Sequence, residues 1–154
     1  MSSTFDIGEV VPHSGVMSLL DEVIEHGEQS LCAQVAITEE SLFAEARGVP
    51  TWVGIEYMAQ AIAAYSGVLA RSAGLPVSVG FLVGTRKYTT NQGYFPLGST
   101  LKISVHEELR GDNGLGVFRC DISGSGVVAS ASLSVFQPKN LDDFLNPQPA
   151  EASE

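Results

Sequence analysis

The sequence has few basic residues. Eight lysines and arginines stand against eighteen acidic residues in a chain of 154, for a formal net charge of −10 at pH 7. Nucleic-acid binding needs a positive surface along the phosphate backbone, and attachment to an anionic membrane surface needs a polybasic segment. The charge balance therefore excludes nucleic-acid and membrane-surface partners.

Cysteine is also scarce. Cys32 and Cys120 lie far apart, each in an apolar stretch with strand character, so we predict two buried free thiols. The histidines and cysteines are too scattered for a metal-ligand cluster. The sequence also lacks a phosphate-binding glycine loop and a serine nucleophile elbow. We therefore expect no metal and no cofactor.

No targeting signal is evident. Residues 1–9 contain neither a basic segment nor a long apolar core, so no signal peptide is predicted and the cytoplasm is the expected location. The longest apolar run, residues 52–70, approaches the length of a transmembrane helix. It contains Glu56, and a charge at the bilayer centre costs about 2.5–3.5 kcal/mol. No basic cluster flanks it, so we predict a helix buried in a soluble domain.

The ends of this helix carry recognisable signals. Pro50 and Thr51 open the run, with Thr51 as the expected N-cap, and Gly74-Leu75-Pro76 ends it. Alanine is frequent, and apolar residues occur almost all round the helix. The helix should therefore be enclosed on most sides.

Alternating apolar and polar residues predict strands before and after the helix. They cover residues 31–37, 77–83, 101–106, 118–122 and 127–135, with hairpin turns at 111–114 and 123–126. The pattern of residues 16–24 does not distinguish a helix from a strand, and residues 38–50 are predicted to form a loop. We predict one α+β domain, residues 1–138, in which a curled antiparallel sheet wraps around one long helix. An acidic, disordered tail is expected over residues 139–154.

Glu56 is the most informative residue. It is the only charged residue between Arg47 and Arg71, and it lies one turn into the helix with Gln60 at i+4 on the same face. Burial favours the neutral form of a carboxyl group, which is the form that a general acid needs. From the residues alone, a catalytic acid and a structural, hydrogen-bonded carboxylate are equally supported.

The three histidines differ in context. His106 falls on the polar face of a predicted strand, and His26 lies among charged residues in what reads as a solvated turn. His13 lies in a loop that leads into an apolar stretch, and loops position reactive groups more often than strand faces do. His13 is therefore the candidate for a reactive histidine, although a single loop histidine is more often structural.

A family resemblance rests on the segment Trp52-Val53-Gly54-Ile55-Glu56-Tyr57-Met58-Ala59-Gln60, with Pro12-His13 and Leu19-Leu20-Asp21-Glu22-Val23 upstream. These residues resemble the hotdog-fold β-hydroxyacyl-ACP dehydratases of fatty-acid synthesis, in particular their aryl-polyene-type branch. The resemblance spans roughly residues 10–136. It implies a dimer of two hotdog folds with two active sites at the interface.

The resemblance also implies a mechanism. A histidine removes the proton α to the thioester, a carboxylate of the other protomer protonates the departing β-hydroxyl, and backbone N–H groups near a helix start polarise the thioester carbonyl. Glu56 matches the carboxylate. Counted back from Glu56 without gaps, the family's His-Phe-Pro-Gly motif falls on Leu42-Phe43-Ala44-Glu45, which keeps the phenylalanine but not the histidine. His13 is then the candidate replacement base.

The remaining site residues follow from the same resemblance. Gly54 and the adjacent helix-start amides are candidates for polarising the carbonyl. Trp52, Gln60 and Phe81 are expected to line the substrate tunnel, since that tunnel should run along the helix face and the strand around Phe81.

The implied partner is an acyl carrier protein that bears a phosphopantetheine thioester. Carrier proteins are acidic, and the charge of this chain is uneven: residues 1–46 hold nine acids and no base, whereas seven of the eight bases lie in residues 47–119. Arg71, Arg86 and Lys87 form a candidate docking patch. Scattered, solvated charge is the alternative interpretation.

The sequence thus predicts a 3-hydroxyacyl-ACP dehydratase that forms a trans-2-enoyl thioester, with Glu56 as acid and His13 as base, in a homodimer. Two alternatives remain open. A hotdog thioesterase would use the same carboxylate to activate water. A non-catalytic subunit would complete a heterodimer with an active homologue, and the missing motif histidine favours that alternative.

Overall fold

The computed structural model describes residues 19–74, 80–111 and 113–137. The elements in chain order are β1 (Glu22–His26), β2 (Ser30–Ala36), β3 (Val49–Pro50), a 3₁₀ turn (Thr51–Val53), α1 (Gly54–Ser72), β4 (Phe81–Thr90), β5 (Tyr94–Phe95), β6 (Thr100–Arg110), β7 (Leu115–Gly124) and β8 (Val127–Phe136).

Six strands form one antiparallel sheet in the order β1-β2-β6-β7-β8-β4, and β3 pairs with β5 in a separate two-stranded sheet. The helix packs across one face of the large sheet, mainly against β6, β2 and β7. β4, the first strand after the helix, therefore lies at an edge of the sheet beside β8. This arrangement confirms the predicted α+β architecture of a curled antiparallel sheet around one helix.

The inward face of the sheet matches the predicted alternation. On β6, Leu101, Ile103 and Val105 are buried, whereas Lys102 and the other residues between them are exposed. The same period of two holds on β2, β7 and β8. The helix and this face of the sheet together enclose the core.

The start of the helix corrects one prediction. Thr51 is not the N-cap, because its hydroxyl donates to the Gln92 carbonyl at 3.0 Å, and α1 begins only at Gly54, after the 3₁₀ turn, without a side-chain cap. At the other end, Gly74 has a φ of +75°, the conformation that favours glycine just after a helix. The predicted stop signal is confirmed at this glycine.

Several elements differ from their predicted bounds. Part of the stretch of undetermined type is β1, and the predicted loop contains β3, whose two residues are too few to show a period. β4 continues to Thr90, beyond the predicted end at residue 83, because bulges interrupt its alternation. The beginning of that predicted strand, the expected tail over residues 139–154 and His13 lie outside the described residues.

The helix is enclosed on all but one side. Half-exposed residues recur along one stripe: Ile55, Glu56, Ala59, Ala63, Ser66 and Ala70. Most of these side chains are small, so the stripe forms a shallow face beside the glutamate. Within the described ranges no helix has the length and apolarity to cross a membrane.

The two cysteines are free, but their environments differ. Cys120 points into the core, and burial raises the pKa of its thiol to about 12. Cys32 is only half-buried, so the prediction of a buried thiol is wrong for it. Its side chain lies on the outer face of the sheet, where its sulfur is 3.6 Å from the Ser104 hydroxyl.

A polar network anchors the second half of the helix to the sheet. The Tyr65 hydroxyl shares its single proton between the Glu28 carbonyl oxygen and Glu107 Oε1, both 3.0 Å from the phenol oxygen, and Arg110 Nε donates to Glu107 Oε2 at 2.9 Å. Burial and the Glu107 carboxylate together raise the pKa of Tyr65 to about 12. The phenol therefore remains a donor at neutral pH.

Replacing Tyr65 with phenylalanine should destabilise the fold by about 1–3 kcal/mol, because the largely buried Glu107 carboxylate loses a donor. Urea denaturation measures this change. Tyr94→Phe is the matched control, since that hydroxyl donates at 3.1 Å to Glu45 in an exposed contact. Equal losses in the two variants would contradict the anchoring role of Tyr65.

Candidate active site

A fully buried glutamine holds the Glu56 carboxylate. Gln60 is 0% exposed; its Nε2 donates to Glu56 Oε2 at 3.1 Å, and its Oε1 accepts from the Leu19 N–H at 2.9 Å. The i+4 spacing brings the two side chains together on one helix face. Gln60 thereby links the chain ahead of β1 to the carboxylate.

The position of Glu56 suits a functional carboxylate. It lies in the first turn of α1, where the helix dipole favours negative charge. Its side chain is half-exposed on the open stripe of the helix, while the neighbouring Tyr57 and Met58 are buried. A substrate approaching this stripe can therefore reach the carboxylate without displacing the core.

Gly54, a predicted carbonyl-polarising residue, is tightly packed. A Cβ at this position would collide with the Tyr88 hydroxyl and lie 3.1 Å from Ile122 Cδ1. The Gly54 N–H is directed to the Thr51 and Trp52 carbonyls of the preceding turn. Close packing thus favours glycine here, and its amide already has acceptors within the chain.

Tyr88 secures the same turn from β4. Its hydroxyl donates to the Thr51 carbonyl, and burial raises its pKa to about 12. The Thr51 N–H donates in turn to the Gly93 carbonyl at 3.0 Å. Contacts from β4 and from the loop that follows it therefore fix the backbone immediately before Glu56.

Trp52 lies in this turn and is 60% exposed. Its ring meets that of Phe43, with centroids 5.2 Å apart and an interplanar angle of 56°. Phe43 is itself 49% exposed and has a φ of +68°. A left-handed backbone at a residue other than glycine costs roughly 1–3 kcal/mol. The sequence contains no signal for this strained conformation.

The loop that carries Phe43 is closely hydrogen-bonded. Ala44 N–H donates to the Ser41 carbonyl at 3.0 Å, and Glu45 and Gly48 exchange backbone hydrogen bonds of 2.8 and 3.0 Å. Gly48 has a φ of +127°, and a Cβ there would collide with the Phe95 carbonyl. The loop therefore presents Phe43 from a fixed backbone.

Leu42, which falls on the family's motif histidine, lines a pocket of about 310 Å³ together with Asp21 and Tyr57. Burial, assisted by the charge of Asp21, raises the pKa of Tyr57 to about 12. Tyr57 therefore stays protonated at neutral pH.

The histidines are distributed as follows. His13 lies outside the described residues, so its role as the base remains a prediction. His106 is exposed on the outer face of β6, as predicted. His26 is the half-buried last residue of β1, which corrects the prediction of a solvated turn. In the sheet, His26 is paired with Leu31 of β2.

The other predicted site residues are spread over the molecule. Phe81 is the first residue of β4, and its backbone lies about 20 Å along the strand from Tyr88, whose hydroxyl contacts the Thr51 carbonyl. Arg71 lies in the last turn of α1, about 25 Å from Gly54 along the helix. The structure thus brings together Glu56 and Gln60, with Trp52 one turn earlier.

Arg86 precedes a bulge in β4, and Lys87 lies within that bulge with a φ of +57°. Four residues on neighbouring strands are paired in one row: Arg86 of β4 with Ser132 of β8, Ser132 with Arg119 of β7, and Arg119 with His106 of β6. Since directly opposed residues share a face, this row extends across the outer side of the sheet. Arg71, at the far end of the helix, lies away from it.

In the part of the chain that the structure describes, no group of three histidine, cysteine, aspartate or glutamate residues lies close enough together to hold a metal ion.

Comparison with known proteins identifies relatives of this arrangement. A family model described as ApeP dehydratase, ApeP-like, matches residues 5–146. A chain of "The Dehydratase Heterocomplex ApeI:P" from Xenorhabdus doucetiae is 29% identical, with a TM-score of 0.83, over 94% of this chain and 99% of that one. A search of curated proteins found no match.

More distant structures share the fold alone. A hypothetical thioesterase with coenzyme A from Streptococcus pneumoniae has a TM-score of 0.59 at 14% identity, over 75% of this chain and 86% of that one. The PaaI protein of Escherichia coli has a TM-score of 0.57 at 15% identity, over 74% of this chain and 80% of that one. These likenesses confirm the predicted hotdog fold.

Proposed function

Because the chain belongs to the ApeP-like dehydratase family, we propose that it eliminates water from a 3-hydroxyacyl thioester carried by an acyl carrier protein. The observation that carries this proposal is the Glu56 carboxylate, held by buried Gln60 on the open stripe of the helix. The product is the trans-2-enoyl thioester, and the reaction belongs to fatty-acid or polyene-type synthesis in the cytoplasm.

The proposed reaction needs two proton transfers. His13 removes the proton α to the thioester carbonyl, and the released electron pair forms the C=C bond as the C–O bond at the β-carbon breaks. Protonated Glu56 gives its proton to the departing hydroxyl, which leaves as water. Positive charge at the start of α1 supports the negative charge that develops on the thioester oxygen.

We propose that the active unit contains two hotdog subunits. The similar chain from Xenorhabdus doucetiae belongs to a heterocomplex. This supports a heterodimer with a related subunit as an alternative to a homodimer. Edge strand β4 leaves Leu82 and Val83 exposed at 42% and 57%, and such an apolar edge suits contact with a second subunit. We propose Arg86 and Lys87 as contacts for the acidic carrier protein, whereas Arg71, at the far end of the helix, lies too far away to share this patch.

The test follows turnover of a 3-hydroxyacyl thioester at the enoyl absorbance. His13→Ala should lower kcat by about 10²–10⁴-fold, the typical contribution of a general base. His106→Ala is the matched control, since that side chain is exposed on the outer face of the sheet. Unchanged turnover in His13→Ala would remove His13 from the mechanism.

The wild-type chain is assayed alone and together with a related hotdog subunit. Turnover that begins only with the second subunit would assign this chain to a heterodimer. Release of free thiol without enoyl formation would instead show a thioesterase and overturn the proposal.

A further inference from the structure

Phe43 occupies a position that does not favour phenylalanine. The hydrogen bond from Ala44 N–H to the Ser41 carbonyl closes a turn whose third residue is Phe43, with a φ of +68°. Turns with a positive φ at the third position favour glycine or asparagine there. Ser125, another left-handed residue, lies with Gly126 in the two-residue turn between β7 and β8, where hairpin geometry requires this conformation.

Among the described residues, packing does not account for the Phe43 ring. Nearly half of the residue is exposed, and its aromatic neighbour Trp52 is still more exposed. The flanking residues Leu42 and Ala44 pack against the core instead. Two apolar rings thus remain open to solvent beside the turn that precedes Glu56.

We infer that Phe43 is a specificity-determining residue: its ring, together with Trp52, contacts the apolar acyl group of the thioester. This inference rests on the proposed function. Trp52 lies about one helical turn before Glu56, so a ligand at that carboxylate is within reach of both rings. The hydrogen-bonded loop fixes the position of Phe43, which limits the entropic cost of binding.

The test uses Trp52 as its reporter, because it is the only tryptophan in the sequence. The full-length chain is titrated with an acyl thioether that cannot be hydrolysed or dehydrated, and Trp52 emission is recorded. Phe43→Gly should weaken binding about tenfold, since it removes one aromatic contact with the ligand. The same variant should lower kcat/KM for the matching 3-hydroxyacyl thioester by about the same factor, with a larger loss for longer acyl groups.

Stability is measured on the same samples. Phe43→Gly should unfold at a temperature no lower than wild type, because glycine adopts the left-handed conformation freely. Phe43→Asn, which also tolerates it, provides a second variant. Ser125→Gly is the matched control: it relieves the same strain far along the chain and should leave ligand binding unchanged.

Three results would overturn the inference. The first is an unchanged ligand affinity of Phe43→Gly in the Trp52 titration. The second is marked destabilisation of both Phe43 variants. The third is altered subunit assembly by light scattering with unchanged ligand affinity, which would assign the ring to a subunit contact. If the wild type binds the thioether with Phe43-dependent affinity but forms no enoyl product either alone or with a related hotdog subunit, the dehydratase proposal fails while this inference stands.

Discussion

Replacing Glu56 with glutamine is expected to lower kcat for the 3-hydroxyacyl thioester by about 10²–10⁴-fold, because the variant cannot protonate the departing hydroxyl. The substitution keeps the shape of the side chain and one oxygen that can accept from Gln60 Nε2. We therefore expect the free energy of unfolding to change little. Enoyl absorbance under saturating substrate measures kcat, and urea denaturation measures stability.

Glu108→Gln is the matched control for this result. Glu108 is exposed on β6, and its replacement removes the same charge without touching the candidate site. Its kcat should equal that of the wild type. Full activity in Glu56→Gln would show that the carboxyl group serves only the hydrogen bond to Gln60. A loss of kcat that accompanies unfolding would point to a structural role instead.

The sequence predicts the sheet and the helix well, because both depend on long periodic patterns. Residues of β6 and β8 alternate between core and surface over whole strands, and a single register error would reverse every side chain. Thr51 shows where local rules fail: its hydroxyl meets the Gln92 carbonyl, forty-one residues further along the chain. Such contacts depend on how distant segments pack together.

The candidate site also has a part that the sequence predicts and a part that it does not. The pairing of Glu56 with Gln60 follows from helical spacing, which a sequence displays directly. The sequence predicts that Gln60 faces the substrate but does not predict its hydrogen bond to Leu19, because that contact joins segments far apart in the chain. The conformation of Phe43 also depends on its loop, since hydrogen bonds fix a backbone that the residue itself disfavours.

Replacing Gln60 with glutamate should make stability strongly dependent on pH. One carboxylate oxygen can still accept from the Leu19 N–H, but the other would face Glu56 Oε2, at the place of a donor now 3.1 Å from it. Two carboxylates in such contact share one proton. Near neutral pH the folded variant therefore binds about one proton more than its unfolded chain.

The sign of the effect follows from proton linkage. When the folded state binds the extra proton, the free energy of unfolding falls as pH rises, by about 1.4 kcal/mol per pH unit until the shared proton is released. Urea denaturation of Gln60→Glu between pH 5 and pH 8 should therefore show a steady loss relative to wild type. Gln92→Glu, which adds the same charge at an exposed turn, should parallel the wild type. Parallel curves for Gln60→Glu as well would mean that residue 60 does not control the environment of Glu56.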